Sequence, residues 1–436
     1  MELQQPKGVR DFPPEEKIMR DKVVNALIKT FESYGFNPLE TPILELWEVL
    51  TSKYGASQET DVMQEVYKLT DRGARDLGLR YELTLSTARF VGMNPQLKLP
   101  FKRYQIGSVF RDGPIKLGRY REFTQCDVDT FGCKRMTADA EILLLAIDAF
   151  EALGIQATLQ VNNRKLLNGL LQAAGVPADK TESAIITIDK FDKQGADEVR
   201  KELEQKGISD DAIAKALGFF QAAGTNKEKL EQIEQFLPAG NGQGREGITE
   251  LKELFSYLAS VPEGRILFNP SLARGLAYYT GTVFEGFFEE GEVRSSICGG
   301  GRYDKMVGEL LGSEKEMPAV GIAFGLEPIT EQLKLLAKAK PGGMPKTVVK
   351  VLVVPIRCFE AAVGIAQRLR KAGIRTDIDL LGRGISKNLE AANQLDIPYS
   401  LIVGRQELEQ GKVKLKDMRT GTEELLPLEE VEQRLA

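Results

Sequence analysis

The sequence predicts an α+β domain that carries a helical insertion, followed through a linker by a small α/β domain. Three observations lead there. The charged stretch Phe110–Asp129 alternates residue by residue on the far side of a loop bearing Gly113, Pro114 and Gly118, the pattern of strand, loop, strand. From about Asn163 to about Pro262 the chain turns rich in Lys, Glu, Ala and Gln, with helical periodicity and no alternation. From Val348 onward strand and helix signals take turns, which predicts a parallel or mixed sheet with crossover helices. The boundaries read as 1–330 for the first domain, 163–262 for its insertion, 331–346 for the linker and 347–436 for the last domain.

At 436 residues the chain has room for about three domains. Its 42% hydrophobic and 28% charged content is that of an ordinary globular protein. A net charge of −5 offers no general attraction for nucleic acid, so RNA contact must come from local patches. No apolar run reaches the length of a membrane span and residues 1–8 hold no apolar signal region, so neither a span nor secretion is expected. Cys126, Cys133, Cys298 and Cys358 form no Cys-x-x-Cys pair, and histidine is absent. Zinc sets mixing Cys and His are thereby excluded, no disulfide framework is expected, and the compartment reads as cytoplasmic. Histidine bases and triads are excluded too. Any chemistry must run on carboxylates, Arg, Lys, Tyr and electrostatic positioning.

In chain order, Pro13-Pro14 with Glu15-Glu16 signals a helix start, and Val24, Leu27, Phe31 and Tyr34 recur at helical spacing until Gly35 stops it. Phe36–Leu44 reads as extended, and Pro38 and Pro42 place it at a sheet edge or bulge. Leu79–Leu85 reads as a short strand with Glu82 and Thr84 on one face. In the stretch ending at Asp129, alternation puts Arg119, Arg121, Phe123, Gln125, Asp127 and Asp129 on one face. That face is a poor core and a good site for a ligand anionic at one end and cationic at the other. A helix follows over Asp139–Leu153, and the insertion reads as solvated amphipathic helices with an internal loop at Pro238–Gly244. Leu272–Glu285 reads as a strand, in which Tyr278 and Tyr279 point to opposite faces. Lys338–Pro345 is linker by its Pro and Gly content, and a hairpin is expected around Gln410-Gly411.

Phe110–Asp129, with Arg111 closing its first strand and then Gly-Arg-Tyr-Arg-Glu-Phe-Thr-Gln-Cys-Asp-Val-Asp, resembles motif 2 of the class II aminoacyl-tRNA synthetases in its histidyl-tRNA synthetase form. The opening helix and strand resemble motif 1, which implies a homodimer. Arg-Tyr-Glu-Leu-Thr (80–84) is similar to the family segment that binds the α-ammonium of the amino acid. Arg274-Gly-Leu-Ala-Tyr-Tyr-Thr280 and Ser296-Ile-Cys-Gly-Gly-Gly-Arg-Tyr-Asp304 resemble the two histidyl-specific motifs, with Ala277 where the family often has Asp. Gly321–Pro328 resembles motif 3, with Pro328 in place of the motif's Arg. The insertion, through Ile-Asp-Lys-Phe-Asp-Lys, resembles the one that approaches the tRNA acceptor stem, and the C-terminal segment resembles the anticodon-binding domain.

The resemblance implies a catalytic domain on an antiparallel sheet and an ATP-dependent histidine–tRNA ligase that takes L-histidine, ATP with Mg²⁺, and tRNA(His). It assigns Arg111 and Arg274 to catalysis, and Glu82, Leu83, Thr84, Arg111, Gln125, Asp129, Arg274, Tyr278 and Tyr279 to histidine. Arg111, Arg119, Phe123 and Arg274 go to ATP, and Arg383 and Lys387 to tRNA. The ligands of Mg²⁺ are not identified. Regulatory subunits of histidine biosynthesis share the catalytic fold without the activity. Pro328 and Ala277 fit such a subunit, whereas the C-terminal domain, with Arg111 and Arg274, points to the enzyme.

Overall fold

The structure is a computed structural model that describes residues 3–52, 64–274, 278–338 and 343–435. Two compact units result, Met1–Arg10 with Val23–Leu333 and Asp11–Lys22 with Lys334–Ala436.

The first unit is built on one large sheet. Its strands come in chain order as β1 (Asn37–Pro38), β2 (Leu44–Leu46), β3 (Lys68–Thr70), β4 (Asp76–Leu79), β5 (Phe101–Phe110), β6 (Glu122–Phe131), β7 (Ala157–Asn163), β8 (Ile266–Phe268), β9 (Thr282–Phe288), β10 (Cys298–Arg302) and β11 (Ala319–Gly325). Eight of them pair in the order β1-β5-β6-β11-β10-β9-β7-β8, while β2, β4 and β3 make a small sheet of their own. All pairings between β5 and β7 are antiparallel, and only the edge strands β1 and β8 join in parallel. Pro38 lies on edge strand β1, where its missing N–H costs no ladder bond.

One face of this sheet is the core. Val23, Leu27 and Phe31 of helix Pro14–Ser33 pack there with Ile142, Leu143, Ala146 and Phe150 of helix Met136–Ala152. The Phe31 ring sits 5.7 Å from Tyr104 and 5.8 Å from Phe324, and Phe150 lies edge-on to Phe324 at 6.1 Å. Cys126 and Val128 of β6 join this core. Strand alternation therefore turns Gln125, Asp127 and Asp129 to the opposite face.

Between β7 and β8 the regular structure is all helical, from Arg164 to Tyr257. These helices have no separate core: Leu166, Leu170, Ile185, Ile213, Leu251 and Leu254 belong to the same apolar cluster as Phe150 and Phe284. Helix Gly242–Tyr257 packs so closely on helix Arg164–Ala174 that a side chain at Gly247 would strike the Leu166 backbone.

The second unit carries β12 (Val351–Ile356), β13 (Thr376–Ile378), β14 (Tyr399–Gly404), β15 (Lys412–Asp417) and β16 (Glu423–Pro427), in the order β13-β12-β14-β15-β16. The first three are parallel and the last two antiparallel. Val351, Val353, Leu401 and Val403 cluster with helices Phe359–Lys371 and Leu428–Leu435, while Leu352, Val354 and Ile402 cluster with Ala392 of helix Ile385–Gln394. Among the described residues no helix is long and apolar enough to cross a membrane.

Four expectations from the sequence are corrected. The 79–85 segment is not a strand: β4 ends at Leu79, and Thr84 opens helix Thr84–Met93. Buried Arg80 braces the intervening turn by donating to Ser108 O at 2.8 Å and Thr41 O at 2.7 Å. Among the described residues of Leu272–Glu285 strand begins only at Thr282, and the carbonyls of Pro270 and Leu272 accept from the Asn162 amide instead of a neighbouring strand. Gln410-Gly411 links helix Arg405–Glu409 to β15, and the hairpin lies instead between β15 and β16. The residues 331–338 are the end of helix Leu326–Lys338, not linker.

Candidate active site

The face of β6 turned from the core lines a cavity of about 110 Å³. Gln125, Asp127 and Asp129 form its floor, and their partners across β11 are Gly325, Ala323 and Gly321. These small residues keep the trough open. A Cβ at Gly321 would overlap the Asp129 carboxylate.

The floor is acidic and buried. Asp127 and Asp129 are 2% and 3% exposed, and Arg103 of β5, directly across from Asp129, is fully buried. Arg103 Nη2 lies 2.5 Å from Asp129 Oδ2, and the Tyr303 hydroxyl donates to Asp129 Oδ1. Burial drives the Asp127 carboxyl well above the usual carboxylate range, against the pull of Arg103 and with help from Asp129 and Glu82. Asp129 is raised by the same burial, against Arg103 and Tyr303.

Glu82 and Thr84 reach the cavity from the turn that Arg80 braces, and Tyr81 beside them also lines it. Leu83 does not. Its side chain is fully buried and its carbonyl accepts from the Thr87 amide and hydroxyl.

Arg274 closes the cavity from above. Its backbone takes a positive φ of 47°, and its guanidinium lies 5.6 Å from the Tyr279 ring centre. Gly299 of β10 makes room for it: a Cβ there would overlap the guanidinium. Burial opposes the Arg274 charge, but Tyr279, Glu285 and Tyr278 outweigh it and raise its pKa. Tyr278 and Tyr279 both line the cavity, their rings inclined at 43° with centres 4.5 Å apart, because they lie outside any strand. Burial pushes both hydroxyls up, so they remain protonated donors. Gly275 and Ala277 lie outside the described residues.

Arg111 joins this cavity to a second one of about 350 Å³, lined also by Phe123, Arg119, Gly118, Glu285 and Pro328. Arg111 Nε donates to Tyr81 O at 2.9 Å and its guanidinium lies 5.1 Å from the Phe123 ring centre. Arg119 is half exposed and reaches Glu65 at 3.5 Å. Pro328, in the first turn of helix Leu326–Lys338, packs on Gly118 and leaves the helix start without a cation of its own. Neighbouring Glu327 is buried and accepts from the Thr124 amide at 2.9 Å.

Arg383 and Lys387 lie in the second unit. Arg383 pairs with Asp379 at 3.2 Å, and Lys387 is exposed. Despite its burial, Asp379 is held below its usual range by Asn388 and by the Leu381 and Arg383 amides. It thereby fixes a loop that presents Leu380 and Leu381 to water.

Most residues expected at the site thus converge: Glu82, Thr84, Arg111, Gln125, Asp129, Arg274, Tyr278 and Tyr279 around one cavity, with Arg119 and Phe123 next to it. Asp127, Arg103 and Tyr303 were given no role from sequence. For Asp127 the signal was present, since it shares the two-residue phase of Gln125 and Asp129. Arg103 becomes visible only once the hairpin register is known.

A family model described as Histidyl-tRNA synthetase matches residues 8–329, and one described as Anticodon binding domain matches 349–436. Histidine--tRNA ligase 1 of Bacillus anthracis is 42% identical over 435 residues, 98% of either chain. Histidine--tRNA ligase of Aeropyrum pernix is 37% identical, covering 98% of this chain and 96% of its own. A crystal structure of histidyl-tRNA synthetase from Nostoc sp. PCC 7120 superposes over the full length of both chains, with a TM-score of 0.87 at 31% identity.

Proposed function

The chain belongs to the histidyl-tRNA synthetase family, and from that membership and its site we infer that it is a histidine–tRNA ligase. It uses ATP to form histidyl-adenylate and transfers the histidyl group to the 3′ end of tRNA(His). The observation that carries this is the run of buried acceptors on β6 leading to Arg111 and Arg274. It suits a molecule cationic at one end and carboxylate at the other.

Glu82, Thr84 and Gln125 hold the α-ammonium. Asp129, oriented by Arg103 and Tyr303, accepts from the imidazole, and Tyr278 and Tyr279 wall the ring. A buried polar reader of this kind rejects apolar analogues, which leave it unpaired. The carboxylate then points to Arg111 and Arg274, where it attacks the α-phosphorus of ATP and expels pyrophosphate. An ionised carboxylate needs no general base, so a chain without histidine loses nothing by it. The step needs alignment and charge neutralisation, which the two guanidiniums supply. Phe123 stacks on adenine, and Arg119 meets the outer phosphates at the place Pro328 leaves without charge.

One carboxylate, Glu285, lines the nucleotide cavity, which fits Mg²⁺, a metal that keeps most of its ligands as water and phosphate oxygens. Glu285 would hold the ion there with ATP, where it would neutralise phosphate charge. The catalytic domain runs to about residue 330 with the helical insertion of 163–262, and residues 347–436 contact tRNA through Arg383 and Lys387. The protein acts as a cytoplasmic homodimer.

The test is histidine-dependent exchange of pyrophosphate into ATP, followed by charging of tRNA(His). Both should occur. Histidine binding without exchange would overturn the enzymatic reading.

A further inference from the structure

We propose that Asp127 is a further specificity residue, accepting from the α-ammonium of the bound amino acid beside Gln125 and Glu82. The inference rests on the amino-acid site proposed above and adds a contact to it.

Asp127 is 2% exposed, and its Oδ1 has no hydrogen-bond partner among the described residues. A buried carboxylate oxygen without a donor is costly to a folded chain, so its retention points to a donor that arrives with the ligand. The groups that flank it on the sheet make no hydrogen bond to it. Arg103 faces Asp129 Oδ2 at 2.5 Å, the Tyr303 hydroxyl donates to Asp129 Oδ1, and Gln105, opposite Asp127 on β5, donates to the Thr41 hydroxyl. On the other side stands Ala323, which has no donor to offer through its side chain.

A second unpaired acceptor lies one strand step away. Gln125 Oε1 is buried without a hydrogen-bond partner among the described residues and lines the same cavity. Two residues of strand advance about 6.7 Å, so Gln125 and Asp129 are about 13 Å apart along β6. The Gln125 side chain and the hydrogen bonds at either end take up part of that span. With the ring at the Asp129 end, the α-nitrogen falls level with Asp127. An ammonium offers three N–H donors, which Glu82, Gln125 and Asp127 can meet as acceptors.

Calorimetry with two probes tests this on the full-length protein: L-histidine, and 3-(imidazol-4-yl)propionate, which keeps ring and carboxylate but lacks the ammonium. Asp127→Asn should weaken histidine about ten- to a hundredfold, as for loss of one charge-assisted hydrogen bond, and leave the propionate unchanged. Asp127→Ser supplies the same comparison should the Asn variant not fold. Equal weakening of both probes would make Asp127 a ring or structural residue, and unchanged histidine affinity would remove it from the site. Either result overturns the proposal. Absence of histidine binding by the unaltered protein would instead strike the function proposed above.

Discussion

The Asp129 end of β6 and its Phe123 end differ in how far they open to the surface. Around Asp129 the cavity is about 110 Å³, its floor is buried, and Arg103 and Tyr303 already fix the carboxylate. Around Phe123 it opens to about 350 Å³, with Arg119 half exposed and joined to Glu65 only at 3.5 Å. The contrast follows from the neighbours. Glycine and alanine on β11 make room for a ligand at the closed end over a buried floor, whereas Pro114, Gly118 and Pro328 border the open end. Polar groups desolvated in advance can be selective, because an ill-matched ligand leaves them unpaired. Exposed cations select weakly but follow a flexible triphosphate. We read the closed end as the place where the amino acid is chosen and the open end as the place where the nucleotide is held.

The largest effect is expected from breaking the closed end's ion pair. Arg103→Met leaves Asp129 buried without its cation and should cost about 3–5 kcal/mol of stability in denaturant unfolding, with loss of histidine binding. Unfolding at the unaltered midpoint would show that the pair does not organise the floor. Next comes the junction of the two ends. Arg274→Ala should slow adenylate formation by about two to three orders of magnitude in single-turnover assays, with histidine affinity little changed. An equal loss of affinity and rate would mean that Arg274 binds substrate and transition state alike.

A smaller effect with a defined sign concerns Asp127. Its carboxyl lies above the usual range in the fold, pushed there by burial with Asp129 and Glu82 and opposed by Arg103 and Arg111. The folded state therefore binds the Asp127 proton more tightly than the unfolded chain does. This contribution is fully present below the unfolded carboxylate pKa and is lost as pH rises through the raised folded value. Asp127→Asn should accordingly melt higher than the unaltered protein at neutral pH, and the gain should vanish on acidification below the usual carboxylate range. A lower melting temperature at neutral pH would contradict the reading of Asp127 as a buried carboxyl whose Oδ1 lacks a donor. The smallest effect is expected at the open end, where Arg119→Ala should raise the KM for ATP less than about fivefold, as befits a screened surface charge.

Much of this was legible in the sequence, for physical reasons. Period-two alternation identified the face of β6, because neither polarity nor burial can change it without a register slip. The edge strand followed from Pro38, and the helix end at Gly35 from a residue that takes its φ of 76° without strain. The failures share a cause. Arg80 and Asn162 each bond backbone carbonyls far along the chain with a side chain, and the described residues of 80–83 and 270–281 lie outside strands. No local pattern records that. Arg103 was missed likewise: its role depends on lying opposite Asp129, which a register and not a motif decides. The turn that brings Tyr278 and Tyr279 together onto one cavity was hidden for the same reason.

The division between a closed amino-acid end and an open nucleotide end is tested most directly by pyrophosphate exchange with histidine and ATP varied independently, in Asp129→Asn and Arg119→Ala. The account expects Asp129→Asn to raise the KM for histidine while that for ATP stays within about twofold, and Arg119→Ala to do the reverse. Variants that each raise both constants to the same extent would contradict it.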